Sequence, residues 1–223
     1  MTLYGILKPL AVCLMRLWFR VEARGREHVP ATGAVLVVSN HRSVLDPPLV
    51  GGAAPRRLSF LAKAELFGIP LLGRLIHALG ARPVRREGAD AQALRTALAT
   101  LQAGEALLVF PEGTRSETEE LGEAKAGAGM LAVLSGAPVV PVYIAGTGQA
   151  LPRGGVIPRP VKVRVRFGPV LRFDGAPVAS RKERYREVAE QMMHAIRRLQ
   201  VEAEAELARH VAPPAVGETT RRQ

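Results

Sequence analysis

The segment Ala34-Val35-Leu36-Val37-Val38-Ser39-Asn40-His41-Arg42-Ser43-Val44-Leu45-Asp46-Pro47-Pro48 decides how the rest of the chain is organised. Its first five residues are apolar and Val-rich and stop abruptly at polar ones, the pattern of a buried strand that delivers its last residues to a sheet edge. His41 then falls in a loop. Asp46 followed by Pro47 is a helix-start signal, since Asp accepts from the free N–H groups of a first turn and Pro presets φ where no N–H is needed. On a continuous helix five positions turn through about 500°, which would separate imidazole from carboxylate. A loop that doubles back brings them together, fixes the tautomer and leaves the other ring nitrogen to take a proton from a hydroxyl. These residues alone also allow a plainer arrangement, in which Asp46 only caps a helix and His41 is a polar loop residue.

Outward from this segment, strands alternate with helices. Phe19 to Gly25 reads as an edge strand and Arg57 to Leu61 as a further strand. Leu71 to Leu79 reads as a helix, and Ala89 to Ala103 as a better one, with Leu94, Ala97, Leu98 and Leu101 on one side and Gly104 as its stop. Glu105 to Phe110 is again a strand. Residues 126–152 carry no formal charge, yet Gly136, Pro138 and Pro141 divide them into a helix, Lys125 to Ser135, and a strand, Val139 to Ile144, rather than a membrane span. Val161 to Phe167 alternates Val and cation as a half-exposed strand does, and Ser180 to about Arg209 is an amphipathic helix. The pattern predicts an α/β fold, a central mixed sheet flanked by helices, with polar loops at the strand ends.

Residues 1–20 place Leu3, Leu7, Leu10, Leu14 and Leu17 at helical spacing, with Lys8, Arg16 and Arg20 interrupting. The uncharged stretches are far shorter than the roughly 18–20 residues of a spanning helix. A helix lying in the membrane interface fits better, with Trp18 and Phe19 at the headgroup boundary. The plainer alternative packs the same stripe on the protein core. The domain layout expected is this helix over 1–20, an α/β domain over 21–210 and a loose tail over 211–223.

Lys and Arg number 31 against 20 Asp and Glu, a formal charge of +11, so the natural partners are anionic. With 4% aromatic residues there is little on which single-stranded nucleic acid could stack, and no nucleic acid is expected. The single cysteine, Cys13, excludes an internal disulfide and a cysteine zinc cage. It reads as an apolar packing residue. No metal is implied, because His28, His77, His194 and His210 lack ligand spacing.

A second polar stretch, Phe110-Pro111-Glu112-Gly113-Thr114-Arg115-Ser116, follows a strand. Gly113 permits a tight backbone. Thr114, Arg115 and Ser116 offer a guanidinium fork, hydroxyls and N–H groups to a phosphate, and Glu112 offers a carboxylate to a hydroxyl. An ordinary Pro-Glu-Gly turn is the plainer reading. Gly127-Ala128-Gly129-Met130-Leu131-Ala132 satisfies a bare dinucleotide pattern, but no strand precedes it and its context fails.

Four blocks in order resemble the 1-acylglycerol-3-phosphate acyltransferases, which acylate lysophosphatidic acid to phosphatidic acid. They are Asn40-His41 through Asp46, Gly80 through Glu87, Phe110 through Ser116, and Val140 through Ile144; Lys125 and Gly127 match a further Lys-x-Gly. The resemblance implies an acyl transfer from acyl-coenzyme A or acyl carrier protein to the sn-2 hydroxyl of the acceptor, with no cofactor. It implies His41 as general base and Asp46 as its orienting carboxylate. Arg86, Glu112, Gly113, Thr114, Arg115 and Ser116 would hold the acceptor. The partners implied are anionic membrane lipid, a lysophospholipid and the acyl donor, at the cytoplasmic face of a membrane without spanning it. Two other classes remain open at this point: a non-catalytic basic protein on anionic membranes, and a hydrolase in which the same base activates water.

Overall fold

The computed structural model describes residues 13–70, 72–84, 89–116, 118, 120–173 and 180–211. Seven strands form one sheet in the order β1-β7-β6-β2-β5-β3-β4. They are β1 (Glu22–Arg24), β2 (Val35–Ser39), β3 (Leu58–Lys63), β4 (Ala81–Val84), β5 (Ala106–Val109), β6 (Val139–Ala145) and β7 (Arg164–Phe167). The helices are α1, within which residues 13–18 are described, α2 (Asp46–Ala53), α3 (Leu72–Ala78), α4 (Ala89–Gln102), α5 (Ala126–Ser135), α6 (Thr147–Ala150) and α7 (Arg181–Val211).

Central β2 pairs in parallel with β5 and β6, β5 with β3, and β3 with β4, while β7 runs antiparallel to β6 and parallel to β1. The sheet is therefore mixed, as expected. The pleat sends alternate residues of β2 to opposite faces. Val35 and Val37 pack with Leu49, Val50 and Ala53 of α2, whereas Leu36 and Val38 pack with Ala97 and Leu101 of α4, Leu131 of α5 and Met192 and Ile196 of α7. All five residues of β2 are buried, so its apolar run has no solvent face to supply. Each fully buried Val or Leu there contributes roughly 1.5–3 kcal/mol.

Several elements differ from expectation. β4 was not foreseen, because Arg82 and Pro83 look unlike a strand; it lies at the sheet edge, where Pro is tolerated. The strand expected over 161–167 begins only at Arg164, and it keeps the alternation, with Val165 and Phe167 buried and Arg164 and Arg166 partly exposed. The 3-10 turn Ala64–Gly68 and the short α6 were also not foreseen. Among the described residues no helix is long and apolar enough to cross a membrane.

At the N-terminus, Phe19 is buried and Met15 packs on the core, while Leu14, Leu17 and Trp18 are exposed. Leu3, Leu7 and Leu10 lie outside the described residues, as do Arg86 and the expected tail from 212 onward. Cys13 is exposed, which corrects its reading as a packing residue; the helix turns that face away from the core. Ion pairs staple the surface. Lys162 with Glu22, Arg82 with Glu105 and Arg166 with Glu206 each hold the carboxyl below its ordinary value, chiefly through the hydrogen bond between them. With folded values below unfolded ones, these carboxylates favour the folded chain at neutral pH and lose that contribution as the pH falls through their lowered range. Their exposure keeps each effect small.

α5 lies directly on α7. A Cβ at Gly129 would sit 1.9 Å from the Tyr185 carbonyl oxygen and 2.9 Å from the Ala189 nitrogen. That close approach, not a dinucleotide, accounts for the glycine. Gly129→Ala is expected to lower stability by about 2 kcal/mol, read as a fall in urea midpoint. Gly127→Ala, whose Cβ meets nothing within 4 Å, should hold or raise the midpoint, since Ala is better than Gly in a helix interior by about 1 kcal/mol. Equal effects at the two positions would contradict this packing.

Candidate active site

β2, β3, β5 and β6 run parallel, so their C-terminal ends share one edge, and the loops that leave them gather there. The first of these loops is fastened as it leaves the sheet. The Asn40 amide donates to the Ile144 carbonyl at 2.9 Å and its oxygen accepts from the Ile144 N–H at 2.8 Å. A buried side chain thus continues the pairing of β2 with β6 by one step, and His41 is the next residue.

The chain then folds back. The His41 Nδ1 atom lies 2.8 Å from Asp46 Oδ2, and the same oxygen accepts from the backbone N–H groups of Arg42 at 2.6 Å and Ser43 at 2.7 Å. Asp46 is the first residue of α2, is followed by two prolines and is fully buried. It does not cap its own helix, whose N-cap is Leu45 with no side-chain cap bond; its carboxylate reaches backward to tie the loop. As a carboxylate it can only accept, so of the two neutral tautomers the contact selects the one with the proton on Nδ1 and the lone pair on Nε2. Ser43 donates through Oγ to the Leu151 carbonyl at 2.9 Å, which anchors the loop to the end of α6.

The loop after β5 holds His41 from the other side. Glu112 Oε1 accepts from the His41 N–H at 2.8 Å, and the Ser116 N–H donates to the His41 carbonyl at 2.8 Å. Glu112 Oε2 accepts from the Gly122 N–H at 3.2 Å. The Phe110 ring stacks on the imidazole with centroids 4.0 Å apart and planes 17° from parallel. The His41 side chain retains 18% exposure. It is thus fixed at Nδ1, on one ring face and at both its backbone N–H and its carbonyl, while remaining reachable.

The structure brings together His41, Asp46, Glu112 and Ser116 but changes the expected part of one. Glu112 was expected to offer its carboxylate to a substrate hydroxyl; it is 5% exposed and both oxygens are engaged by backbone N–H groups. Gly113 adopts φ +67°, and a Cβ there would meet the Lys125 side chain at 2.8 Å, so the cation lies directly over the glycine. Thr114 is exposed and Arg115 half-buried; among the described residues the Arg115 guanidinium has no partner. Ser116 Oγ donates within its own loop, to the Thr118 and Glu120 carbonyls. The parts of Asn40 and Phe110 were not anticipated. An Asn directly after a buried strand and an aromatic at the end of a neighbouring one were the available signals. Among the described residues no three His, Cys, Asp or Glu side chains gather to hold a metal ion.

Comparison with known proteins places this arrangement in context. The model of the acyltransferase family matches residues 20–145. A 1-acyl-sn-glycerol-3-phosphate acyltransferase of Bacillus subtilis is 30% identical over 184 residues, covering 81% of this chain and 88% of that one. A chloroplast enzyme of the same name from Brassica napus is 33% identical over 140 residues, 61% of this chain and 40% of its own; the chain spans well under two thirds of such plant relatives. The crystal structure of the 1-acyl-sn-glycerophosphate acyltransferase of Thermotoga maritima superposes with a TM-score of 0.69 at 30% identity, covering 90% of this chain and 84% of the other.

Glu112 and Arg115 should separate in their effects on folding. Glu112→Ala leaves two part-buried N–H groups, those of His41 and Gly122, without their acceptor and is expected to cost about 2 kcal/mol in urea unfolding. Arg115→Ala should leave the midpoint within about 0.5 kcal/mol of wild type. A Glu112→Ala protein as stable as wild type would show that the two loops do not depend on this carboxylate.

Proposed function

Given that the chain belongs to the acyltransferase family, we propose that it transfers a fatty acyl group from acyl-coenzyme A or acyl carrier protein to the sn-2 hydroxyl of lysophosphatidic acid. The observation that carries this reading is the His41 imidazole, held at Nδ1 by buried Asp46 and reachable from solvent. Nε2 takes the proton of the acceptor hydroxyl as its oxygen attacks the thioester carbonyl. The tetrahedral adduct collapses with cleavage of the C–S bond, and the imidazolium returns the proton to the departing thiolate. Ester and free thiol are the products. No acyl-enzyme forms, so no nucleophilic side chain is required.

Arg115, with Gly113, Thr114 and Ser116 beside it, is proposed to hold the acceptor phosphate, and Arg86 to assist from outside the described residues. The Ser116-to-His41 bond ties that group to the base, so immobilising the phosphate also sets the hydroxyl against Nε2, the proximity term of the reaction. Glu112 serves this reading as a positioning residue. The enzyme is proposed to sit on the cytoplasmic face of an anionic membrane without crossing it. The N-terminal helix would lie in the interface, a role supported by exposed Leu14, Leu17 and Trp18.

Two assays test the proposal. With labelled acyl-coenzyme A and lysophosphatidic acid in anionic vesicles, wild type should form phosphatidic acid. His41→Ala should lose about 1000-fold or more in turnover while still folding, within the reach of a general base plus its positioning; appreciable residual transfer would remove His41 as base. Arg115→Ala should raise the acceptor KM and lower kcat together, and unchanged acceptor kinetics would argue against phosphate binding there.

A further inference from the structure

The loop between α6 and β7 reads Pro152-Arg153-Gly154-Gly155-Val156-Ile157-Pro158-Arg159-Pro160. Val156 is 89% exposed and Ile157 81%. A Val-Ile pair standing in water at a loop tip gains nothing from folding, and an exposed apolar group flanked by cations is the pattern of a surface element that meets lipid. The loop is also firmly placed. The Gly155 N–H closes a turn on the Pro152 carbonyl at 2.9 Å, and the Arg159 N–H donates to the Ala150 carbonyl at 2.7 Å. Arg20, where α1 ends, donates to the Pro160 carbonyl at 3.0 Å. Through Leu151, the base of the loop accepts the Ser43 hydroxyl of the His41 loop. The tip is therefore held in a fixed relation both to α1 and to the imidazole.

We propose that loop 152–160 is a second membrane contact, its Val156–Ile157 tip entering an anionic bilayer beside the His41 site. This rests on the acyltransferase reading only for its purpose, which is to hold the site open toward a lipid acceptor. The parallel topology supplies the first argument for lipid. Segments that leave the C-terminal ends of β2, β3 and β6, and the segment that enters β1, share one edge of the sheet. Exposed apolar side chains mark each of them: Leu17 and Trp18, Val44, Ile69, and the Val156–Ile157 pair. They are spread along the whole edge, and a bilayer meets such a set at once where a small protein would cover only part.

Charge supplies the second argument. From residue 126 to 173 the chain has no Asp or Glu, and Arg153 and Arg159 bracket the tip. Guanidinium groups beside an inserted apolar tip meet lipid phosphates at headgroup depth. Binding through α1 alone would leave the protein free to pivot on one helix; a second contact across the site fixes which way the His41 edge faces.

The test uses the full chain carrying Cys13→Ser, to remove the exposed thiol, and Ile157→Cys labelled with an environment-sensitive fluorophore. On phosphatidylglycerol vesicles its emission should shift to the blue and become shielded from an aqueous quencher. Val156→Asp with Ile157→Asp should weaken vesicle binding about 100-fold or more, as expected for losing the burial of two aliphatic side chains, with unchanged circular dichroism and unchanged transfer to a water-soluble short-chain acceptor. A label that stays in water while the protein is vesicle-bound, wild-type binding by the double Asp variant, or loss of transfer to the soluble acceptor would each overturn the proposal. So would equal binding to zwitterionic vesicles, or a label that responds instead to an acidic acyl carrier protein without lipid. Wild type that transfers to no acceptor would count against the acyltransferase reading and leave the vesicle result standing.

Discussion

The backbone of His41 is gripped at both ends by a loop 71 residues further along the chain: its N–H by the Glu112 carboxylate and its carbonyl by the Ser116 N–H. Much of the local structure follows from that grip. A peptide held so cannot extend β2 beyond Asn40 nor start α2 early, so the chain must turn between them and let Asp46 reach back. One carboxylate oxygen collecting three donors would be costly in a mobile loop, because each ordered residue loses roughly 1–2 kcal/mol of backbone entropy. Here the loop has been ordered already from its other side. Charge-assisted hydrogen bonds in a buried site are then worth more than the same bonds in water.

The sheet makes the grip possible. β5 and β6 both pair with β2, so the loop carrying Glu112 and the strand carrying Ile144 flank the residue that follows β2. Parallel direction puts all three ends on the same side. Gly122 completes the construction, since a Cβ there would come within 2.9 Å of Glu112 Oε2. A carboxylate that bridges two loops needs backbone close on both sides, and a side chain at that position would push the Glu112 carboxylate from its place.

Much of this was legible in the sequence for a physical reason. β2 and β6 are nearly unbroken apolar runs bounded by polar residues, and a pattern that strong has one reading in an α/β chain. The His41 and Asp46 spacing was legible too, but as two alternatives; only the coordinates distinguish a backward-reaching carboxylate from a helix cap, because both start from Asp-Pro. β4 was missed because its four residues include Arg82 and Pro83, and an edge strand needs few apolar contacts. Read locally, Glu112 is a carboxylate acceptor in a polar loop, free to take a substrate hydroxyl. Its burial comes from Gly122 and His41, partners that no local pattern reveals. Arg86 depends on resemblance alone and lies outside the described residues.

The distribution of charge carries one step more than its sum. On the β1–β7 flank cations meet carboxylates, as in Lys162 with Glu22 and Arg166 with Glu206, and those pairs cancel at short range. The loop between α6 and β7 adds Arg153 and Arg159 and has no Asp or Glu of its own. A potential confined to one edge acts differently from the same net charge spread over a sphere: it exerts a torque as well as an attraction on approach to an anionic surface. On the membrane reading proposed above, such a torque would act within a Debye length of about 8 Å and would turn the edge bearing His41 toward the surface before any apolar group touches it. On the function proposed above, orientation by charge and retention by exposed apolar tips would then be sequential, and the same field would draw an anionic thioester donor to the edge that bears His41.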